Sequence, residues 1–168
     1  MTVTMYAAAI PPMLRMLDNL SAILDKATAH AEAKKIDPEV LLGMRLSPDM
    51  WPLLRQVRAT CDFAKATVAR LAGREPVKWE DDEKTFGDLK GRIARARDLL
   101  HAAKASEFEG AEKRDVTFAT REGPVTMKGA DYLSNVAFPN FYFHATAVYA
   151  ILRHAGVSLG KADFLGRP

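Results

Sequence analysis

The chain has 168 residues, 48% hydrophobic and 27% charged, enough for one domain with a substantial core and too apolar for a disordered chain. Its 24 basic and 21 acidic residues leave a net charge of +3, so that even with a pI near 9.0 the balance argues weakly for nucleic acid. Mean hydropathy is −0.13 and no window approaches the roughly 20 apolar residues a membrane span needs, and the single Cys61 excludes an internal disulfide and a cysteine-based zinc site. The first basic residue is Arg15, so the start lacks the charged region of a secretory signal. Together with one lone thiol this sets the expectation of a cytoplasmic protein.

Helical periodicity dominates the first half. Met13, Leu17, Leu20, Leu24 and Ala27 recur at spacings of three and four, which predicts a helix over about 5–34, kinked at Pro11-Pro12 or regular only from there. Asp37-Pro38-Glu39 places a cap, a proline and an acid at a helix start, opening a short helix through Leu42. Ser47-Pro48-Asp49 repeats that grammar and predicts a long helix to Leu71, stopped by Gly73, with an irregular first turn because of Pro52. Residues 74–84, with Glu80-Asp81-Asp82-Glu83, read as a solvated acidic connection.

Thr85 and Asp88 resemble a capping box for a third long helix that ends near Gly110. Its expected inner stripe is Phe86, Leu89, Ile93, Ala96, Leu99, Leu100 and Ala103, with Lys90, Arg92, Arg95 and Arg97 outside. The period then shortens. Residues 116–120 and 124–127 are β-prone runs around Arg121-Glu122-Gly123, the pattern of a hairpin. A fourth long helix spans about 130–156, with Pro139 removing one backbone bond, and a short tail closes the chain. The predicted fold is all-α: an antiparallel four-helix bundle with a short β-hairpin between its third and fourth helices.

Chemistry concentrates in the last long helix. Asn140 and His144 stand at i and i+4 and share a face with Phe141, Val148 and Ile151. A polar pair on a buried face is hydrogen-bonded internally or binds something. Elsewhere the signals are weak. His30, His101 and His154 lie on charged or terminal stretches, Cys61 lies on an inner stripe without a neighbouring base, and the arginines around Arg92 have no interleaved aromatics.

The pattern Pro139-Asn140-Phe141-Tyr142-Phe143-His144, closing in Leu152-Arg153-x-x-Gly156, resembles the last helix of the DinB/YfiT-like superfamily. More narrowly, Arg45-Leu46-Ser47-Pro48-Asp49-Met50, Gln56-Val57, residues 69–73 and the tail 156–166 resemble an uncharacterised bacterial family of DinB-like bundles known by a domain-of-unknown-function label. The resemblance spans nearly the whole chain. It implies a divalent metal, zinc or nickel, held by three histidines, which in some members activates a low-molecular-weight thiol. His144 matches the last of those ligands, Asn140 the one before it, and Gln56 stands near the ligand of the second long helix. Two imidazoles are thus replaced by amides, so the expectation is a degenerate site without a tightly bound transition metal and no other cofactor.

Asp49 lies seven residues before Gln56 on the same side of its helix, and Tyr142 flanks the His144 face. Asp49, Gln56, Asn140, His144 and Tyr142 therefore form a candidate polar pocket for a small ligand. Asp49 also has a plainer role in the first turn of its helix. Two other readings stand beside ligand binding: a non-catalytic interaction protein whose polar cluster only specifies packing, and a metal-dependent thiol transferase-like enzyme. Trp51, Trp79 and Phe164 fall outside the inner stripes and, with the resemblance, imply a homodimer. Nucleic acid and membranes are not expected partners.

Overall fold

The structure, a computed structural model, describes residues 3–166. It is mostly helical. Helix α1 runs Met5–Lys34, α2 Pro38–Gly43, α3 Leu53–Leu71 and α4 Phe86–Ala102. A hairpin follows, β1 Asp115–Thr120 and β2 Gly123–Lys128, then α5 Gly129–Tyr132, α6 Phe138–His154 and α7 Lys161–Leu165.

Thr4 caps α1 by accepting from the Ala7 amide, and the helix continues through both prolines without a break in assignment. Asp37 caps α2 as its residue pattern predicts. The capping box of α4 is complete: the Asp88 amide donates to Thr85 Oγ1 and the Thr85 amide to Asp88 Oδ2. Helix α3 begins later than its sequence grammar suggests, at Leu53, because Pro52 drives Trp51 out of the helical region and itself becomes the cap residue. Helix α4 stops at Ala102, and Ala105–Phe108 forms a separate 3₁₀ turn.

Between α5 and α6, Leu133–Ala137 winds as a π-turn, so residues 129–154 form one rod with a single loosened turn. The turn lies just ahead of Pro139, which has no amide to give to Asn135. The hairpin pairs Asp115 with Lys128 through Thr120 with Gly123, leaving Arg121 and Glu122 as the turn. Gly129 fits only because it has no side chain: a Cβ there would stand 2.0 Å from the Ala111 carbonyl oxygen. The tail is more ordered than expected, since α7 docks on α1 through Asn19 Nδ2 to the Phe164 carbonyl at 2.9 Å and Lys26 to Asp163 at 2.6 Å.

The core is shared by Met13, Leu17, Leu20 and Leu24 of α1, Leu53, Val57 and Cys61 of α3, Leu89 and Ile93 of α4, and Phe141 and Val148 of α6. Cross-helix pairs fix the directions. Asp18–Arg97 and Asp25–Lys90 make α1 and α4 antiparallel, and Gln56–His144 with Arg70–Tyr132 make α3 antiparallel to the rod that ends in α6. Helix α3 runs the same way as α4, since Arg58 meets Glu83, Asp62 meets Arg92, and Val68 and Ala69 share a cleft with Leu99 and Ala102. The alternating antiparallel order expected from sequence is therefore not what these contacts give. A parallel neighbour requires a return over the length of α3, about 28 Å at 1.5 Å per residue. Residues 72–85 supply it, with a reach of about 46 Å when extended.

That crossover is not a loosely solvated loop. Arg92, expected on the outer face of α4, has only 3% of its side chain exposed. It pairs with Glu83 at 2.7 Å, Asp62 at 2.9 Å and Asp81 at 3.2 Å, and donates to the Glu80 carbonyl at 2.9 Å. Arg58 holds Glu83 from the other side at 2.6 Å. Lys65, Arg92 and Arg95 stand 4.6, 5.3 and 4.4 Å from the centre of the Trp79 ring.

Candidate functional site

Gln56 lies in the first turn of α3, where Pro52 has left the Trp51 carbonyl outside the helical ladder. The Gln56 Nε2 amide donates to that carbonyl at 3.1 Å. The amide oxygen then faces α6 and meets His144 Nδ1 at 2.7 Å, with Gln56 1% and His144 7% exposed. An amide oxygen only accepts, so Nδ1 carries the proton and Nε2 the lone pair. Burial pushes the His144 pKa down, which keeps the ring neutral. No described residue makes a hydrogen bond to Nε2.

Aromatic rings enclose the imidazole. Trp51 stacks at 5.5 Å and 8°, Phe63 at 5.6 Å and 20°, and Phe143 meets it edge-on at 5.2 Å. The Arg55 guanidinium covers Trp51, 3.9 Å from its centroid. Phe143 is also a wall of an apolar groove of about 350 Å³, shared with Leu46, Met50, Tyr142, Thr146, Ala147 and Ala150. The flanking rings were the part that sequence reasoning passed over. Phe63 stands seven residues after Gln56, two turns along the same face of α3, and that spacing was the available signal.

The other candidate residues do not join this pair. Asn140 is half-buried and turns its amide back on its own rod, donating to the Val136 carbonyl at 2.7 Å. This follows from the π-turn, which loosens the carbonyls just before Pro139. Asp49 is exposed in the turn before α3 and accepts from Ser47 Oγ at 2.5 Å, a bond that holds its carboxyl below the usual range. Tyr142 lies in the groove wall without a hydrogen bond to Gln56 or His144, and burial raises its hydroxyl pKa. Cys61 is fully buried with its thiol pushed up to about 12, the state of an inert core residue.

Zinc and nickel favour several imidazole, thiolate or carboxylate donors. Gln56 Oε1 is taken up by the His144 ring itself, and Asn140, turned toward Val136, offers at most one neutral amide oxygen, which leaves His144 Nε2 as the one imidazole nitrogen among the three positions. Among the described residues no group of three His, Cys, Asp or Glu side chains is placed to hold a metal ion. As arranged, these residues do not fit a three-ligand transition-metal site. No helix of the described residues is long and apolar enough to cross a membrane.

A family model described as "Domain of unknown function (DUF1993)" matches residues 5–165. Among solved structures, the crystal structure of a DinB family member protein from Shewanella denitrificans is similar to this chain with a TM-score of 0.91 and 41% identity. The match covers 97% of this chain and 92% of that one. No curated protein matches.

Proposed function

Because this chain belongs to the DUF1993 family and is built like a DinB family member, we propose that it is a DinB-type four-helix bundle that binds a small ligand through His144 Nε2. The metal-dependent thiol chemistry implied by the superfamily resemblance has no place in this reading. The observation that supports it is the Gln56–His144 bond, which settles the proton on Nδ1 and leaves one acceptor nitrogen in a neutral, ring-walled imidazole. Phe143 links the two features, as the edge-on neighbour of the imidazole and as a wall of the groove, so this reading takes a ligand that rests on Phe143 and donates one hydrogen bond to Nε2. Asp49 and Asn140 serve their own turns.

The packing-only reading draws on the same bond, because Gln56 is satisfied at both ends. Two measurements separate them. Nitrogen-15 spectra of untagged protein should show an unprotonated Nε2, and fragments with one N–H or O–H donor should shift it in saturable fashion. Saturation in the wild type and its loss in folded His144→Phe supports ligand binding, and a ring indifferent to every donor fragment leaves packing as its only role. Elemental analysis should find no stoichiometric zinc or nickel, and near-stoichiometric metal overturns the reading.

We also propose a homodimer. Trp79 and Phe164, two of the aromatics that suggested it, are engaged within the chain, Phe164 against Tyr149 at 5.7 Å. Trp51, Leu46 and Phe143 remain, 37%, 44% and 55% exposed. Light scattering that gives about 18.5 kDa across a wide concentration range overturns the dimer.

A further inference from the structure

A second cleft, at the far end of α3, faces the hairpin. It measures about 270 Å³ and is lined by Arg70, Gly73, Arg74, Glu75, Asp115 and Thr117, with Val116 behind them. Arg70 sets it apart. Its Nη1 donates to Tyr132 Oη at 3.0 Å, and its guanidinium carbon lies 5.5 and 5.6 Å from the Phe118 and Tyr132 ring centres. Tyr132 has no exposed surface, so the guanidinium is held by a rigid partner. Arg58, Lys65 and Arg92 all have carboxylates within ion-pair distance, whereas no described carboxylate pairs with Arg70. Its remaining N–H donors are open. A guanidinium fixed before binding loses little freedom when it takes a carboxylate.

The cleft also carries the opposite sign. Asp115 is tied to Lys128 at 2.6 Å, and Arg74 to Glu107 at 3.1 Å, while Glu75 has no ion-pair partner among the described residues. The last carbonyls of α3 are capped, those of Val68, Ala69 and Arg70 by backbone amides and that of Leu71 by the Arg114 guanidinium, so Glu75 carries the unpaired negative charge of the cleft. A plain anion meets repulsion here, a plain cation meets Arg70, and a molecule with both charges satisfies both. The volume lies below the range of drug-sized pockets and suits a metabolite of few heavy atoms. We propose that this cleft binds a small zwitterion of the free α-amino acid class, its carboxylate on Arg70 and its ammonium toward Glu75.

The test titrates the full chain with L-alanine and with its two charge halves, propionate and ethylammonium, following the Thr117 amide and the Arg70 Nε–H by NMR. Saturable shifts are expected with alanine, and affinities at least about tenfold weaker for each half. Arg70→Gln should weaken alanine at least about tenfold with the rest of the spectrum in place. Should Arg70→Gln fail to fold, Glu75→Gln carries the test: it should erase the preference for alanine over propionate. Shifts that never saturate, propionate binding as well as alanine, or an unchanged alanine affinity and preference in the folded variants would overturn the proposal. These residues take no part in the His144 reading, so either can fail alone.

Discussion

Two polar clusters are built into this helical core on opposite sides of α3, and they differ in charge and in completeness. The Arg92 cluster gathers a buried guanidinium, three carboxylates and a second arginine around the crossover. The His144 cluster is neutral, has two members, and leaves one ring nitrogen without a partner. A buried charge is tolerated only when paired, so the first cluster is held to its geometry by the cost of breaking it. A neutral imidazole carries no such obligation, and it is this open acceptor that the proposed reading assigns to a ligand. The densest network in the fold fixes the crossover, whereas the sparser one joins two neutral side chains across α3 and α6.

The sharpest way to break this contrast is Arg92→Met. It leaves Glu83 to Arg58 alone and Asp62 to Lys65 alone, and a loss of about 3 kcal/mol in urea unfolding is expected, the low end for severed buried ion pairs because both carboxylates keep one cation. Its Nε already lacks an acceptor, so the arginine itself is not fully satisfied, and a loss below about 1 kcal/mol would show that the network contributes little. Gln56→Leu comes next. It removes the partner of the His144 Nδ1–H and the donor to the Trp51 carbonyl, for a loss of about 1–3 kcal/mol. The same variant should blur the tautomer, visible as nitrogen-15 shifts intermediate between the two ring forms.

A pH series separates the clusters further. Burial lowers the His144 pKa, so the unfolded chain takes up protons first as pH falls. The contribution of the neutral ring is complete above the ordinary value of 6.5 and is lost as pH drops below it toward the folded value. The residues around the ring are Gln56, Trp51, Phe63 and Phe143, all uncharged. Thermal melts of wild type and His144→Phe should therefore differ by a constant amount near neutrality, with the wild type losing stability relative to the variant below pH 6.5, and curves parallel throughout would contradict this assignment. The smallest effect is expected for Trp79→Leu. It removes the ring that Lys65, Arg92 and Arg95 share but keeps the ion pairs, for a loss of about 1 kcal/mol in the same urea assay.

Much of this was legible in the residues, for local reasons. The boundaries of α1 and α2, the capping box of α4, the hairpin and the buried stripes all follow from spacing and turn chemistry acting over a few residues. The resemblance to a DinB-like family of unknown function is matched by the family model and by the solved relative. What sequence could not give was long-range. Arg92 looks like any surface arginine on a helix wheel until Glu83, Asp62 and Asp81 are brought to it. Asn140 stands on the face of His144 by spacing, yet the π-turn ahead of Pro139 offers its amide a nearer acceptor. Helix direction was invisible because periodicity reports which face is buried and not which way the neighbour runs.

The parallel pair of α3 and α4 has a consequence for how the chain assembles. Parallel neighbours usually demand a slow search, because their contacts lie far apart in sequence. Here the crossover carries its own fastening: Glu83 is 9 residues from Arg92, against 65 between Asp25 and Lys90 of the antiparallel pair α1 and α4. Closing the short loop costs less entropy, so the acidic segment can fold back onto α4 as a local unit before either long-range pairing is made. The acidic run thereby fastens the crossover to α4 by a short-range contact, and Arg58–Glu83, 25 residues apart, is what ties α3 to it.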